Sequence, residues 1–387
     1  MVDARLERLA QVLVTYSVGV KKDDLVRISG PPVAEAGVVA VCEAVVRAGG
    51  HPVIRMAPET CTELLLKHGS DRQLTFVSPL AKFEVEKIDA SIGFWADENT
   101  KALTNVDPAK QALTAKARKP IMEIFLRRAA LPAGRRGKLR WSGTQFPCQA
   151  SAQDAEMSLR DYETFVYRAG LLHLPNPIAE WKKISVRQQR VSDALTKARE
   201  IRFVTPNGTD LRAGIKGRRW INCDGHENFP DGEVFTGPIE DATEGVVCYS
   251  FPAVHAGREV HDIRLRFKQG RVVDASASKG EAFLFQMLDM DGGSRVLGEL
   301  AIGTNYAITD YTCNTLFDEK IGGTFHAALG AGYPESGAKN RSGLHWDMVC
   351  DLRKGGRIEV DGKVISRNGR FLKATWPQPT AGRKRKG

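Results

Sequence analysis

The chain has 387 residues, of which 42% are hydrophobic and 26% charged, so its composition is that of a globular protein with a large buried core. No segment approaches the roughly 18 apolar residues of a membrane span, and the charged N-terminal sequence MVDARLERLAQVLV does not resemble a signal peptide. The formal net charge of +10 does not by itself indicate a nucleic-acid partner, so we predict neither membrane nor nucleic-acid binding as the main function.

The seven cysteines are dispersed and include no C-x-x-C pair. An odd, scattered set is typical of reduced thiols packed as small hydrophobic side chains, which predicts a cytoplasmic protein. The basic C-terminal segment, residues 376–387, ends in GRKRKG and has almost nothing to bury. We therefore predict that it is a disordered tail.

The first half of the chain alternates helical and strand patterns. Leu6, Leu9 and Leu13 recur at helical spacing and predict a helix over residues 3–18. A strand at 24–29, a helix ending at the glycines 49–50 and a strand at 51–56 then form a β–α–β unit, which implies a parallel sheet. Further strands are predicted at 89–94 and 139–141, with helices at 58–67, 78–87, 107–131 and from 159, and a helix at 186–200 that links two domains. The sequence thus predicts an N-terminal α/β domain over residues 1–195.

From residue 201 the pattern changes to short strands separated by tight turns. Segments such as IRFV, TDLRAGI, GVVCYSF and DIRLRF alternate or cluster apolar residues, and RIEVDGKVISRNG is typical of a β-hairpin. One helix is predicted at residues 280–290. We therefore expect a larger, β-rich α+β domain over residues 196–375, so that the whole chain has an α/β domain followed by a β-rich one.

The segment from Asn314 to Asp347 concentrates the residues that carry chemistry. His345 and Asp347 are two positions apart, so both side chains leave the same face of an extended strand. An imidazole and a carboxylate that project together form half of a metal site, although a hydrogen-bonded pair on a strand explains this motif alone equally well. His326, in the same segment, lies among glycine, threonine and alanine residues.

Two glutamates lie in other segments that read as buried. Glu233 lies in NFPDGEVFTGP and Glu299 in GELAIGTN, each beside residues that would otherwise begin a buried strand. A lone buried carboxylate usually protonates, pairs with a cation or binds a metal. Three separate segments that bring acid or imidazole into apolar surroundings therefore suggest one shared site.

Four motifs in this order, PDGEVFTGP, GELAIGTN, FDEKIGGTFHAALGAGY and LHWD, resemble the M29 family of metallo-aminopeptidases. The resemblance extends from about residue 5 to 372 and implies a dimeric exopeptidase that acts on peptides with a free N-terminus. It implies two divalent ions (zinc, cobalt, magnesium or manganese) and the ligands Glu233, Glu299, His326, His345 and Asp347. Tyr333 matches the active-site tyrosine of the family, and Glu319 matches an acid that is either a ligand or the general base.

The chemistry of these residues agrees with the resemblance. Three carboxylates and two imidazoles exceed the four ligands of a structural zinc but suit two ions that share a carboxylate and acidify a water. Glu319 would accept the proton of that water, and Tyr333 would stabilise the oxyanion. Simpler interpretations are that Tyr333 only caps a turn, that Glu319 pairs with Lys320 on the surface, and that Asp347 orients His345.

Two other functions remain open at this stage. His326, His345 and Asp347 alone would make the two-histidine, one-carboxylate triad of a mononuclear non-heme iron enzyme, such as a ring-cleaving dioxygenase on the same scaffold. A one-iron site has no use for Glu233 and Glu299, which favours the peptidase. A nucleic-acid-binding or scaffold protein with a dead site would require lost ligands, and every candidate ligand is present.

Overall fold

The computed structural model describes residues 3–379 of the chain. Short turns of other helical types occur at Val12–Ser17 (π-helix), Pro32–Ala34 and Pro334–Ser336 (both 3-10). The α-helices are α1 Ala4–Gln11, α2 Glu35–Arg47, α3 Glu59–His68, α4 Asp71–Leu74, α5 Pro79–Lys87, α6 Pro108–Ala129, α7 Gln149–Asp154, α8 Leu159–Ala169, α9 Pro177–Thr196, α10 Glu281–Leu288 and α11 Thr315–Asp318.

The strands of the second half are short, as the sequence predicted. In chain order the strands are β1 Leu25–Gly30, β2 His51–Met56, β3 Ala90–Trp95, β4 Arg140–Gln145, β5 Glu200–Val204, β6 Asp210–Gly214, β7 Ile221–Cys223, β8 Asn228–Phe229, β9 Glu233–Thr236, β10 Thr243–Cys248, β11 Ala253–His255, β12 Arg258–Val260, β13 Arg264–Lys268, β14 Arg271–Ser276, β15 Leu297–Gly303, β16 Thr324–Gly330, β17 His345–Asp351, β18 Arg357–Val360, β19 Lys363–Arg367 and β20 Arg370–Phe371.

The described chain divides into two compact units. The first contains the residues up to Ile178 together with Gly225–Phe229, and the second contains Ala179–Asp224 and the residues from Pro230 onward. The chain passes between the units in the first turn of α9, which begins at Pro177 and not at residue 186 as predicted. Proline fits this first helical position because its missing N–H would be unsatisfied there in any case. The domain boundary at residue 195 stays a prediction.

The first unit is built on a parallel sheet, which confirms the predicted α/β class. Its strand order is β2-β1-β3-β4-β8, and every pair in it is parallel. The first predicted helix is divided: α1 ends at Gln11 and a π-helical turn follows, in which Val12, Leu13 and Val14 are all buried. The regular spacing of the leucines does not distinguish an α-helical turn from a wider one.

The second unit contains two antiparallel sheets with a hydrophobic core built from both. The larger sheet has the order β14-β13-β10-β6-β5-β18-β19-β20, and the smaller has the order β17-β16-β15-β9-β7. Phe203 of β5 stacks on Phe325 of β16 with ring centroids 4.1 Å apart. Leu300, Ile302 and Met348 of the smaller sheet belong to the same core. Because side chains alternate between faces along a strand, the residues between these project from the opposite face.

The hairpin β11–β12 was not predicted from the sequence. Its turn places Ala256 and Gly257 at φ values of 49° and 73°.

The predicted C-terminal tail begins with a buried residue. Trp376 is 4% exposed and packs against Phe371, whereas residues 380–387 lie outside the described part of the chain. Within residues 3–379, no helix is long and apolar enough to cross a membrane.

Candidate metal centre

The register of four strands brings the five predicted ligands to one face of the smaller sheet. Glu233 of β9 pairs with Gly303 of β15, and His326 of β16 pairs with Ala301 of β15. Ala328 of β16 pairs with both Glu299 and Asp347, and Gly330 pairs with His345. Directly paired residues of antiparallel strands project from the same face. The five side chains therefore converge on the face opposite the core.

Small residues make room between these side chains. The partners of the ligands on β15 and β16 are Gly303, Ala301, Ala328 and Gly330, none of which has more than a methyl side chain. Gly298 forms a bulge next to Glu299, and a Cβ atom there would lie 2.1 Å from the Ala331 carbonyl oxygen. Bulges are common beside active sites because they redirect a side chain.

The turn before β9 depends on a glycine. Gly232 has a φ of +127°, and a Cβ atom on it would lie 2.5 Å from the Cβ of Asn305. Asn305 donates a hydrogen bond of 2.8 Å from its side-chain amide to the Asp231 carbonyl oxygen. A residue with a side chain at position 232 would be strained and would displace this anchor. The PDGE motif thus sets the direction in which Glu233 enters the site.

The two imidazoles lie within reach of three carboxylates. His326 Nε2 is 3.1 Å from Glu299 Oε1 and 3.4 Å from Glu233 Oε2. His345 Nε2 is 3.3 Å from Asp347 Oδ2 and 3.7 Å from Glu299 Oε2. Glu299 therefore presents one oxygen to each histidine.

Both histidines are oriented by the backbone through their other nitrogen. Nδ1 of His326 lies 3.2 Å from the Glu319 carbonyl oxygen, and Nδ1 of His345 lies 2.8 Å from that of Ala331. A ring that donates its Nδ1–H to a carbonyl presents Nε2 to the site, which is the usual support of a metal-binding histidine. Asp347 lies beside His345, and its other oxygen, Oδ1, is 3.9 Å from His326 Nε2.

The electrostatics of the site show how closely the charges are packed. Burial raises the pKa of the Glu233 carboxyl to about 8 despite the nearby Lys320. Burial also opposes the charged form of both histidines, but the hydrogen bond to Glu299 raises the pKa of His326 to about 9, and the Asp347 charge raises that of His345 to about 10. Although Asp347 is buried too, the His345 charge lowers its pKa to about 2.

The donor set fits divalent ions better than it fits a hydrogen-bonded network. Glu233 Oε2 and Asp347 Oδ1 are buried and have no hydrogen-bond partner among the described residues. Such orphaned atoms are rare and usually mark a ligand, an ion or a water. Two groups, Glu233–Glu299–His326 and Glu299–His345–Asp347, each bring one ligand atom per residue within 4.8 Å of the others. Glu299 is common to both groups.

Glu319 belongs to the same cluster and does not form a surface pair. It follows α11, and its carboxylate can approach His326 and Asp347 so that all three donor atoms lie within 4.8 Å. Its side chain contacts the ammonium group of Lys320, which is 0% exposed, so the interpretation of a solvated Glu319–Lys320 pair was wrong. Burial is the largest influence on Glu319 and raises its pKa.

Sequence reasoning missed Lys320 and Asp231, which extend the cluster beyond Glu233. Lys320 Nζ is 2.9 Å from Glu233 Oε1 and 3.8 Å from Asp231 Oδ1. The sequence offers no clear signal for either residue, because a lysine or aspartate among other charged residues is most simply exposed to solvent.

Tyr333 lies at the edge of this site. Its ring packs edge-on against Phe235 and His345, with centroids 5.4 Å apart in both cases, while 44% of the residue stays exposed. The turn that follows uses the Tyr333 backbone carbonyl, which accepts hydrogen bonds from Ser336. The hydroxyl is therefore not needed for the turn, and burial together with the Glu299 and Asp347 charges raises its pKa.

The histidines that were not assigned as ligands have other contacts. His261 Nε2 lies 3.2 Å from Glu259 Oε2, and His255 packs on Trp346 with ring centroids 5.5 Å apart. His226, in the first unit, packs on Tyr16 at 4.7 Å. These contacts place the three histidines in ion-pair or ring-packing interactions.

The chain is similar to known proteins over most of its length. The family model described as thermophilic metalloprotease (M29) matches residues 2–371. Aminopeptidase 2 of Geobacillus stearothermophilus is 26% identical over 402 residues, which cover 93% of this chain and 95% of the relative. Aminopeptidase T of Thermus thermophilus is 32% identical over 264 residues, which cover 61% of each chain.

Two solved structures share the fold over nearly the whole chain. Wild-type AmpT from Thermus thermophilus has a TM-score of 0.81 at 23% identity and covers 95% of this chain and 99% of its own. The 2,5-dihydroxypyridine dioxygenase from Pseudomonas putida KT2440 has a TM-score of 0.59 at 14% identity and covers 97% and 99%. Because both identities are low, these comparisons concern the fold alone. Proteins as different as AmpT and a dioxygenase share that fold.

Proposed function

Because the chain belongs to the M29 family of thermophilic metalloproteases and is therefore a metal-dependent aminopeptidase, we propose that it removes N-terminal residues from peptides by means of a dinuclear site. The ligands proposed are Glu233, Glu299, His326, His345 and Asp347. Zinc, cobalt, magnesium and manganese all remain candidates.

The observation that carries this proposal is the shared position of Glu299. It belongs to both ligand groups, and its two oxygens point to different histidines. A carboxylate shared in this way could be a ligand to both of two divalent ions. Glu233 and His326 would complete one ion's ligands, and His345 and Asp347 the other's.

Two divalent ions held there would supply Lewis acidity, both to a water nucleophile and to the peptide carbonyl. The protein's own residues would complete the reaction. Glu319 would accept the proton of the attacking water and pass it to the leaving amine, a role favoured by a carboxyl whose pKa burial has raised. Tyr333, beside His345, would donate a hydrogen bond to the carbonyl oxygen as it becomes negative.

The second candidate is a mononuclear iron enzyme that uses His326, His345 and Asp347. Its support is the similarity of fold to a dioxygenase. Among the described residues, however, no group whose donor atoms lie within 4.8 Å of one another contains both histidines. His326 and Asp347 share a group with Glu319, but His345 is grouped with Glu299, which a single-iron site would not use.

One experiment separates the two functions. We expect the purified protein, loaded with excess metal and then desalted, to hold two equivalents and to release amino acids from a free peptide but not from its N-acetylated form. A protein that saturates with one equivalent of iron, and that consumes oxygen with a dihydroxylated aromatic substrate while leaving peptides intact, would establish the alternative.

We also propose that the protein is a homodimer in the cytoplasm. The dimer follows the family resemblance, and the location is supported by the seven free cysteines. Light scattering coupled to size exclusion tests the first, and fractionation of the source cells tests the second.

A further inference from the structure

Lys320 is a buried cation surrounded by acidic residues, and the proposed reaction gives this lysine no role. Its ammonium group donates a hydrogen bond of 2.9 Å to Glu233 Oε1, contacts the carboxylate of Glu319 and lies 3.8 Å from Asp231 Oδ1. Its exposure is 0%. Because burying an unpaired ammonium is very costly, this position requires the negative charges around it.

Two of these carboxylates, Asp231 and Glu233, belong to a further group with the chemistry of metal ligands. Cys223, Asp231 and Glu233 each bring one donor atom within 4.8 Å of the other two. Cys223 of β7 pairs directly with Glu233 of β9, so the thiol and the carboxylate project from the same face of the sheet. A thiol and two carboxylates suit soft or borderline ions such as zinc, cobalt and cadmium. In this structure the Lys320 ammonium lies against the same two carboxylates.

We propose that Lys320 is a positioning residue: its fixed charge holds one oxygen of Glu233 away from the dinuclear site and keeps a divalent ion out of the Cys223–Asp231–Glu233 group. This inference rests on the proposed function, because it concerns how Glu233 is presented to an ion. It adds a role for a lysine that contacts the proposed ligand Glu233 without being a ligand itself.

The two oxygens of Glu233 support the first part of the inference. Oε1 accepts the hydrogen bond from Lys320, whereas Oε2 has no hydrogen-bond partner among the described residues and faces His326 Nε2 at 3.4 Å. With Oε1 held by the ammonium, Glu233 can offer a single oxygen to an ion. Without Lys320, both oxygens would be free, and the carboxylate could turn toward Cys223 and Asp231.

The backbone holds the lysine in this place. The Asn305 backbone N–H donates to the Lys320 carbonyl oxygen at 3.1 Å, and the Asn305 side chain donates to the Asp231 carbonyl oxygen at 2.8 Å. One asparagine thus fixes the segments that carry both the cation and its distant carboxylate. A lysine on such an anchor acts as a point charge, which a guanidinium can replace only if its larger planar group fits.

The test compares Lys320→Met, which keeps an unbranched side chain one atom shorter and removes its charge, with the wild-type protein, both loaded with cobalt(II). The matched control is Lys279→Met, because the Lys279 side chain is 64% exposed and its ion pair with Glu259 lies at the surface. For Lys320→Met we expect an additional equivalent of cobalt and a cobalt–thiolate absorption band. Both should be lost in the double variant Lys320→Met/Cys223→Ser. We also expect binding at the position that contains Glu233 to weaken about 10–100-fold, the usual effect of losing a residue that orients a ligand.

Lys320→Arg and the wild-type protein provide the remaining tests. An arginine that fits should exclude the additional cobalt again, which a loss of structural stability alone would not produce. A Lys320→Met protein that binds cobalt as the wild type does, with no thiolate band, would overturn the inference.

If Lys320→Met does not fold, the absorption spectrum of the cobalt-loaded wild-type protein tests whether the Cys223–Asp231–Glu233 group is empty. A thiolate band at full cobalt loading that disappears in Cys223→Ser would show that Lys320 does not exclude the ion, and its absence would support the inference. Wild-type saturation at one equivalent would contradict the proposed dinuclear function, a separate result from the difference between variants.

Discussion

Replacing Glu299 by glutamine should remove both metal ions, whereas the same change at Glu233 should remove one. Glu299 is 4% exposed, and its oxygens lie 3.1 Å from His326 Nε2 and 3.7 Å from His345 Nε2. Glu233 belongs to the first of the two proposed ligand groups but not to the second. Glutamine preserves the size and shape of the side chain, so the change removes the negative charge and leaves the packing of β15 intact.

The expected magnitude follows from the role of Glu299 in each group. Removing a residue that only orients a ligand costs 10–100-fold in metal affinity. Glu299 is itself a proposed ligand of both ions, so we expect at least about 100-fold weaker binding at each position, or about 2.8 kcal/mol per ion. At a metal concentration that just saturates the wild-type protein, Glu299→Gln should hold almost no metal. Glu233→Gln should keep about one equivalent.

Elemental analysis after equilibrium dialysis measures these contents, and calorimetric titration measures the affinities. Glu335→Gln is a suitable control because Glu335 is exposed and close in sequence to Tyr333 but belongs to neither ligand group. The thermal transitions of the metal-free variants check that each protein is folded. If Glu299→Gln retained one equivalent with wild-type affinity, Glu299 would serve a single ion, and the argument for a bridging carboxylate would be wrong.

Three further predictions concern catalysis, pH and stability. Tyr333→Phe should lower kcat by roughly 10²–10³-fold with unchanged metal content, as for loss of one oxyanion donor; unaltered turnover would limit Tyr333 to packing against Phe235. Because the pKa values of His326 and His345 are raised to about 9 and 10, each ring of the metal-free protein carries a second proton at neutral pH, which a metal must displace. Metal affinity should therefore rise with pH up to about these values. Calorimetric titration with metal in buffers of different ionisation enthalpy should detect the release of at least one proton. Binding enthalpies that do not depend on the buffer would contradict this proton release. Trp376→Ala should lower the free energy of unfolding by about 3–5 kcal/mol, because the ring is buried. Deletion of residues 380–387 should instead leave the melting temperature and peptidase activity unchanged. A fall in either quantity would assign the basic tail a role.

The sequence alone was sufficient for features that depend on local periodicity and composition. The β–α–β pattern predicted the parallel sheet of the first unit, and the two-residue spacing of His345 and Asp347 predicted that both project from one face of β17. The apolar surroundings of Glu299 predicted a buried carboxylate on a strand. These predictions succeed because alternation along a strand and burial of apolar residues are properties of short segments.

Tertiary structure decided how those segments are aligned. The pairing of Glu233 with Gly303, and of Ala328 with both Glu299 and Asp347, depends on strand register, which no short segment contains. That register alone gives Glu299 its place in two ligand groups. A shift of one residue would turn these side chains into the core.

The position of Lys320 is the feature of the site that depends most clearly on the tertiary structure. By composition a lysine next to a glutamate is most simply a solvated pair, because an ammonium group is rarely buried. Its partner Glu233 is 87 positions away in sequence, and only the folded sheet brings the two together at 2.9 Å. Burial became favourable because several carboxylates converge there, and that convergence is a property of the tertiary structure.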